Sequence, residues 1–471
     1  MPNTLRLPDG SYMRHLDVKQ MLGYLVEMRC VEVLGFSNIG KSALLRLLAQ
    51  PDVWTQEIGE ASREFLPVYI DCNRMLEMTD QGFYELVLRC LQESSPEVAD
   101  SPGLAEAYQT LVQPQNEFQV PLSFNHGLRA VLGETKRKLI LMLDEFDEPF
   151  ANIESRVFLN LRAEKDRSRD SLAYVTATNR PLSTGRAGLH SSEFCELFAH
   201  QRWQLAPLTL SDVERYTLNR AEEHGVTLTP GDIHFIYQWT GGHPSMMEGV
   251  LGLFLAALGE APTDSGEEEK GKADPHWSLH RRITEEMRVN DNLQRECTKI
   301  IQSCTDAEVD ALAALYRVDN RTQPSTPAQA PILARLQERH LLLSVEGQLR
   351  PFGRLLAEAI QRQGSVADLS AQLRVDVDSG AVLINDVAVE TLTALEYKLM
   401  VLLYENMDKI VDKYQIVTEV WGEAYIDAVD DARIEKLISR LRQKVEPNSS
   451  APRFITTVRG RGYRLVTDPE S

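Results

Sequence analysis

Cysteine is scarce in this chain: six residues in 471, at positions 30, 72, 90, 195, 297 and 304, with no Cys-x-x-Cys pair among them. That spacing excludes a disulfide framework and the common zinc modules, and the expectation is reduced core thiols. Cys30 and Cys72 then fall in expected buried strands, and Cys297 and Cys304 lie seven apart on an expected helix face. No apolar run approaches the roughly 18 residues that cross a membrane, and "MPNTLRLPDGSYMRHLD" lacks the apolar core of a signal peptide. The expected setting is cytoplasmic, with no membrane partner. Self-similarity at periods of about 20–50 residues is absent too, which excludes a propeller or solenoid sensor. Positive charge is in deficit: 50 Lys and Arg stand against 69 Asp and Glu, a net charge of −19. Affinity for nucleic acid spread over the whole surface is thereby excluded, so any DNA contact must come from a local patch.

What is present is an ordinary globular composition, 43% apolar and 25% charged, in a chain long enough for about three domains. "APTDSGEEEKGKADP" (261–275) has no large apolar residue and is expected to be an exposed linker. "RQGSVADLS" (362–370) is expected to be a second, shorter seam. Between 29 and 206, the runs "CVEVLG" (30–35), "FLPVYIDC" (65–72), "KLILMLDEFD" (138–147), "SLAYVTATN" (171–179) and "QRWQLAPL" (201–208) read as strands with helical patterns between most of them. Continuous apolar strands with helical crossovers imply a parallel sheet covered on both faces.

The first strand leads into "GFSNIGKS", a Gly-x-x-x-x-Gly-Lys-Ser spacing placed strand–loop–helix. Glycines let such a loop curl so that successive backbone N–H groups face phosphate oxygens, aided by the N-terminus of the following helix. Gly35, Asn38, Ile39, Gly40, Lys41, Ser42 and Ala43 are therefore candidate nucleotide contacts. Lys41 would reach the β- and γ-phosphates, and the Ser42 hydroxyl would hold Mg²⁺. "LILMLDEFDE" (139–148) ends a second apolar strand in acids: Asp144 would hold Mg²⁺ through water, and Glu145 would orient the attacking water as base. ATP or ADP with Mg²⁺ is the expected cofactor.

Beside these motifs, "ATNRP" (177–181) resembles the sensor-1 segment of AAA+ ATPases. The resemblance places Asn179 beside the γ-phosphate, with Arg180 a weaker candidate. "VLGFSNIGKSALLR", "LMLDEFDE", "VTATNRP" and "TGGHP" (240–244) together resemble the STAND branch of AAA+-related signalling ATPases. That resemblance implies a helical lid over 208–258, with Pro244 packing on the adenine; a helix-ending Gly–Gly followed by Pro is also an ordinary helix stop. It further implies that "ILARLQERHLLLSVEGQLRPFGRLLAEAI" (332–360) is an internal winged helix serving as a hinge.

Residues 432–464 carry nine Lys or Arg against two acids, in a chain that is otherwise strongly acidic. "LTALEYKLMVLLYENMDKIVDKYQIVTEVWG" (392–422) opens with a Thr393/Glu396 capping box. "DDARIEKLISRLRQKVEPN" (430–448) is an amphipathic helix. Ile434, Leu437, Ile438, Leu441 and Val445 form its apolar stripe, and Arg433, Lys436 and Arg440 its basic one, so one side can be buried and the other offered to a major groove. "RFITTVRGRGYRLV" (453–466) is a hairpin. With "LRVDVDSGAVLINDVAVE" (373–390) these segments resemble the whole winged-helix domain of the OmpR/PhoB response regulators. Position by position, the resemblance implies that Arg440 reads a base with Ser439 and Lys436 nearby. Arg442 and Lys444 would hold phosphates, and the wing residues Arg459 and Arg461 would reach DNA, Arg459 in the minor groove. Asp427, Asp430, Asp431 and Glu435 flank the helix start and oppose tight binding by one copy.

The expected architecture is thus multidomain, α/β followed by α. Residues 1–28 form an N-terminal segment and helix, 29–206 the P-loop NTPase sheet, 207–262 the helical lid, 263–275 an acidic linker, 276–366 the internal winged helix, and 367–471 the OmpR-like winged helix. The function expected is an ATP-controlled regulator whose ATPase sets self-association and engagement of double-stranded DNA, answering a protein or small-ligand signal. An assembly, defence or mobile-element ATPase that docks a protein or non-specific DNA, and an origin-binding AAA+ initiator, stay open as alternatives.

Overall fold

In the computed structural model the described residues are 5–185, 189–259, 277–317, 330–345, 348–368, 373–376, 381–384, 387–388, 392–407, 409–422, 429–446, 452, 454–458 and 461–466. The acidic linker expected at 263–275 lies outside them, as do Asp427 and Arg459. The chain divides into two compact units, residues 1–360 and 361–471.

The first unit is built on five strands: β1 (Val31–Leu34), β2 (Phe65–Asp71), β3 (Lys138–Asp144), β4 (Leu172–Thr178) and β5 (Arg202–Gln204). All pair in parallel, in the spatial order β2-β3-β4-β1-β5. Each strand expected from the sequence is present, with tighter ends; the third stops at Asp144 because a short helix, Asp147–Asn152, begins three residues later. The unbroken apolar runs have the reason expected for a parallel sheet, since each face carries its own core. Val31, Val33, Ile140, Met142, Val175 and Ala177 pack under α1 (His15–Val26), α2 (Lys41–Leu48) and the helices after the sheet. Leu66, Val68, Ile70, Leu139, Leu141, Leu143 and Tyr174 pack under helices Asp80–Ser94, Gln119–Thr135 and Ser155–Arg167. Cys30, Cys72, Cys90, Cys195 and Cys297 are buried free thiols, and Cys304 is half-buried.

Beyond the sheet come three helices, Leu210–Glu223, Pro230–Thr240 and Pro244–Gly259, where a small helical bundle was expected. Thr229 and Asp232 form a reciprocal capping box at the start of the second. Helices Trp277–Val289, Asp291–Gln302, Asp306–Arg317 and Ala330–Glu338 follow, then the antiparallel hairpin β6 (Leu342–Val345) and β7 (Gln348–Pro351). Helix Arg354–Asp368 then runs through most of the seam expected at 362–370. The stretch contains one glycine and no proline, too little to stop a helix.

Among its described residues the second unit has two small antiparallel sheets. One holds β8 (Leu373–Asp376), β9 (Ala381–Ile384) and β10 (Val387–Ala388); the other holds β11 (Ile410–Val411), β12 (Ile455–Val458) and β13 (Gly462–Leu465), in the order β11-β13-β12. Helices Ala394–Glu405 and Asp431–Val445 share a core with the second sheet through Leu399, Met400, Leu403, Ile434, Ile438, Leu441, Phe454 and Leu465. The expected Thr393/Glu396 capping box is present. Among the described residues no helix is long and apolar enough to cross a membrane.

Candidate nucleotide site and candidate DNA interface

The loop between β1 and α2 depends on its two glycines. Gly40 adopts φ +106°, where an L side chain is strained, and a Cβ there would meet the Arg14 guanidinium at 3.6 Å and Pro244 at 3.8 Å. At Gly35 a Cβ would approach the Ile39 side chain to 2.7 Å. Asn38 is itself left-handed at φ 60°. The turn delivers the chain into α2 with Lys41 as its first residue, so the free N–H groups of the first turn open onto the loop. Ser42 is half-buried beside Lys41, and Ala43 is buried in the core, leaving it only its backbone to offer.

Lys41 is 6% exposed. Its Nζ donates to the Gly35 carbonyl at 2.7 Å, to Asn179 Oδ1 at 2.9 Å and, at 3.4 Å, to the Phe36 carbonyl. Burial pushes its pKa below the usual lysine value, opposed by the carboxylates of Glu145, Asp147 and Asp144. The loop, the end of β3 and the end of β4 therefore converge as the sequence motifs required. Asp144 is 1% exposed; its Oδ1 accepts the Glu145 N–H at 3.1 Å and its Oδ2 the Tyr69 hydroxyl at 2.6 Å. Glu145 is half-buried in a left-handed conformation, φ 52°. Burial, then neighbouring Asp144, raises its carboxyl pKa above the usual range, against the pull of Lys41.

Several residues of this site carry no sequence prediction. Asp147 accepts from the Asn179 backbone N–H at 3.0 Å and from its Nδ2 at 3.1 Å. This pairing fixes the amide, because the opposite orientation would set Oδ1 against a carboxylate and leave Nδ2 facing the Lys41 ammonium. Arg14, 3% exposed, donates to the Ile39 carbonyl at 2.6 Å and the Ala206 carbonyl at 2.8 Å, and pairs with Asp17; its Nε has no partner. His243, fully buried, shares a cluster of near-parallel rings with Phe36 and Phe352, at centroid distances of 5.6 and 6.0 Å, the two phenylalanines being 5.4 Å apart. Its Nδ1 accepts the Met246 N–H at 3.3 Å, so Nε2 carries the proton toward the Ser37 carbonyl at 3.2 Å. Burial drives its pKa down to about 4, which leaves the ring neutral. From helix Asp291–Gln302, Glu296 accepts the Asn38 Nδ2 at 2.7 Å and pairs with Lys299. Arg180 reaches the Ser303 carbonyl at 3.4 Å. The "DEFDE" run and the "GGHP" run carried visible signals for Asp147 and His243; Arg14 and Glu296 had none.

A Mg²⁺–nucleotide can be set against these donors. The loop backbone with Lys41 presents an anion cradle, and Asp144 is a buried carboxylate whose two recorded hydrogen bonds leave acceptor capacity on both oxygens. The residues present fit the group.

In the second unit, helix Asp431–Val445 is capped by Asp430, whose carboxylate accepts the Arg433 N–H at 3.0 Å. Ile434, Leu437, Ile438, Leu441 and Val445 are buried, and Arg433, Lys436, Ser439 and Arg440 are exposed, as the periodicity required. Arg461, in the β12–β13 turn, is exposed. Two of the expected phosphate contacts have work inside the domain. Arg442 donates to the Ile455 carbonyl at 2.6 and 3.0 Å and to Thr457 Oγ1 at 2.8 Å, and Lys444 pairs with Glu396 at 2.9 Å. Asp431, one of the acids expected to oppose DNA, is paired with Lys413.

Residues 388–465 match the family described as transcriptional regulatory protein, C terminal. Similar curated proteins include the uncharacterized transcriptional regulatory protein YcbL of Bacillus subtilis, 39% identical over 94 residues, which are 20% of this chain and 40% of that one. The sensory transduction protein RegX3 of Mycobacterium leprae is 34% identical over 96 residues, 20% of this chain and 47% of that one. The chain spans less than half the length of these relatives. Among solved structures, the Walker-type ATPase PABY2304 of Pyrococcus abyssi is 13% identical with a TM-score of 0.45, covering 76% of this chain and 98% of that one. Residues 388–465 are thus a DNA-binding domain of the OmpR/PhoB type, and the first unit carries a parallel five-stranded sheet with flanking helices.

Proposed function

We propose that the chain is an ATP-controlled DNA-binding regulator, in which a STAND-type ATPase sets how many copies of the C-terminal domain engage DNA together. The observation that carries this reading is Lys41: a buried ammonium at the head of a helix whose three hydrogen bonds all go to neutral oxygens. A buried cation held this way is poised for an anion that brings its own charge.

ATP with Mg²⁺ supplies a polarised terminal phosphoryl group when bound. The loop backbone from Gly35 to Gly40 would cradle the phosphates, with Lys41 as their counter-charge. Ser42 and Asp144 are the groups that hold the metal. Glu145, whose carboxyl pKa burial and Asp144 raise above the usual range, would orient the attacking water and accept its proton, with Asn179 beside it. Pro244, close to Gly40, would pack on the adenine.

The segment 276–366 acts as an internal winged helix in a hinge role. Support comes from Glu296 on Asn38 and from Phe352 in the ring stack with His243 and Phe36, which set this module against the loop and the lid. In the C-terminal domain Arg440 reads a base, flanked by Ser439 and Lys436, and Arg433 contributes to the same exposed face. Arg442 and Lys444 add charge on the phosphate side while bracing the hairpin and the first helix, with Arg459 and Arg461 in the wing. One such domain reads a short half-site, so self-association on ATP would raise avidity by roughly 10²–10⁴ without new contacts. Selection of full-length protein on a random DNA pool, with ADP and with ATP and Mg²⁺, tests this. The expected outcome is enrichment, with ATP, of half-sites repeated about one helical turn apart. Equal recovery of all sequences in both states would refute it.

A further inference from the structure

The Tyr69 ring spans three elements of the first unit. It sits on β2, two residues before Asp71, which pairs in register with Asp144. Its hydroxyl donates to Asp144 Oδ2 at 2.6 Å. Its face lies 5.1 Å from the guanidinium carbon of Arg46, which projects from α2, and Arg46 also approaches Asp71 to 3.9 Å. The ring is thus clamped between the helix that starts at Lys41 and the strand that ends at Asp144.

Packing alone needs no phenol here, since a phenylalanine would fill the same space under Arg46. The hydroxyl is aimed at one atom. A buried carboxylate is free to rotate about its last bond unless both oxygens are held, and Asp144 has both held: Oδ1 by the Glu145 N–H and Oδ2 by Tyr69. Each oxygen keeps a second acceptor direction.

We propose that Tyr69 is a positioning residue for the divalent cation: its hydroxyl fixes the Asp144 carboxylate in the plane that receives Mg²⁺ or its water. The proposal rests on the nucleotide reading of the Gly35–Lys41 loop. Outer hydrogen-bond partners of metal-holding groups typically contribute ten- to a hundred-fold to metal affinity. Tyr69 is invisible to motif reading, because a tyrosine in an apolar strand carries no spacing signal and its partner lies 75 residues on.

The experiment is calorimetric titration of the full chain with ATP, first in EDTA and then across a MgCl₂ series, for wild type, Tyr69→Phe, Asp144→Asn and the double variant. Tyr69→Phe is expected to bind ATP in EDTA as wild type does, yet to need about tenfold more Mg²⁺ for half-maximal enhancement. In the Asp144→Asn background the same change is expected to add no further shift. An unchanged Mg²⁺ requirement in Tyr69→Phe would overturn the proposal, as would equal weakening with and without Mg²⁺, which marks a purely structural ring. A full shift persisting without Asp144 would overturn it too. If wild type bound no nucleotide at all, the reading of the loop would fall, and Tyr69's role with it; wild-type binding with a silent Tyr69→Phe removes only the latter.

Discussion

At the head of α2 the decisive cation, Lys41, is buried and held by two carbonyls and an amide oxygen, with three carboxylates within electrostatic reach. On helix Asp431–Val445 the decisive cations, Arg433, Lys436 and Arg440, are exposed. On the proposed function, the two regions would meet the same kind of partner, a polyanion, by opposite means. The loop pre-assembles one enclosed site from elements scattered over the first unit, so removing one group should remove binding outright. The helix offers a face on which each residue contributes a share, so a loss there should be graded and dependent on salt.

The largest expected effect sharpens that contrast. Lys41→Ala should abolish ATP binding measured by calorimetry while the far-ultraviolet circular dichroism stays native. ATP affinity equal to wild type would place the anion elsewhere.

The second separates the units by pH. His243 is held neutral in the fold with a pKa of about 4 against an ordinary 6.5. Above pH 6.5 both folded and unfolded rings are neutral; below it only the unfolded ring takes a proton until about pH 4. The His243 contribution to the first unit's stability should therefore fall as pH drops through that window, by on the order of 3 kcal/mol, offset in part by the raised carboxyls of Glu32, Glu145 and Asp147, which act in the opposite sense. The second unit contains no histidine. Its Glu396 carboxyl is lowered, despite opposing burial, by hydrogen bonds from the Thr393 N–H and Lys444. That contribution is present above the ordinary carboxylate value of 4.5 and is lost only as pH falls below it. Thermal scans from pH 7 to pH 4 should show the first unit's transition moving before the second's.

Arg440→Ala comes next, with an expected loss of about 1–3 kcal/mol in DNA affinity and a relaxed preference at one base position. Fluorescence anisotropy on matched and mismatched oligonucleotides checks it; an equal loss on both would make Arg440 a phosphate contact. The smallest effect belongs to Glu396→Gln. Losing the charge that pairs with Lys444 should cost about 1 kcal/mol of stability in the second unit, read as a shift of its melting transition, and leave ATP binding untouched.

The same contrast explains what was legible in the sequence. On helix Asp431–Val445 the buried and exposed sets follow from period alone, so Ile434, Leu437, Ile438 and Leu441 could be separated from Arg433, Lys436 and Arg440 by spacing. Thr393 and Glu396 were legible because a capping box is local. The strands were legible because a sheet buried on both faces needs unbroken apolar runs. In the loop, the motif residues Gly35 to Ser42 and the strand-ending Asp144 could be named, but the groups that hold them could not. Tyr69 meets Asp144, Arg14 meets Ile39, and Glu296 meets Asn38 across separations of 75, 25 and 258 residues. Those meetings are set by strand register and by how later helices pack, which no local pattern encodes. The inward work of Arg442 was hidden for a related reason: its carbonyl partner belongs to Ile455, 13 residues on in the first strand of the hairpin.

The central claim, that the nucleotide at one end governs the readers at the other, is tested most directly by one titration. Full-length Glu145→Gln, which should bind ATP but turn it over slowly, is sized by light scattering and titrated onto a DNA carrying two half-sites one helical turn apart, once with ADP and once with ATP and Mg²⁺. The account predicts a larger assembly and at least a hundredfold tighter DNA binding with ATP. An assembly state and a DNA affinity that are the same with both nucleotides would contradict it.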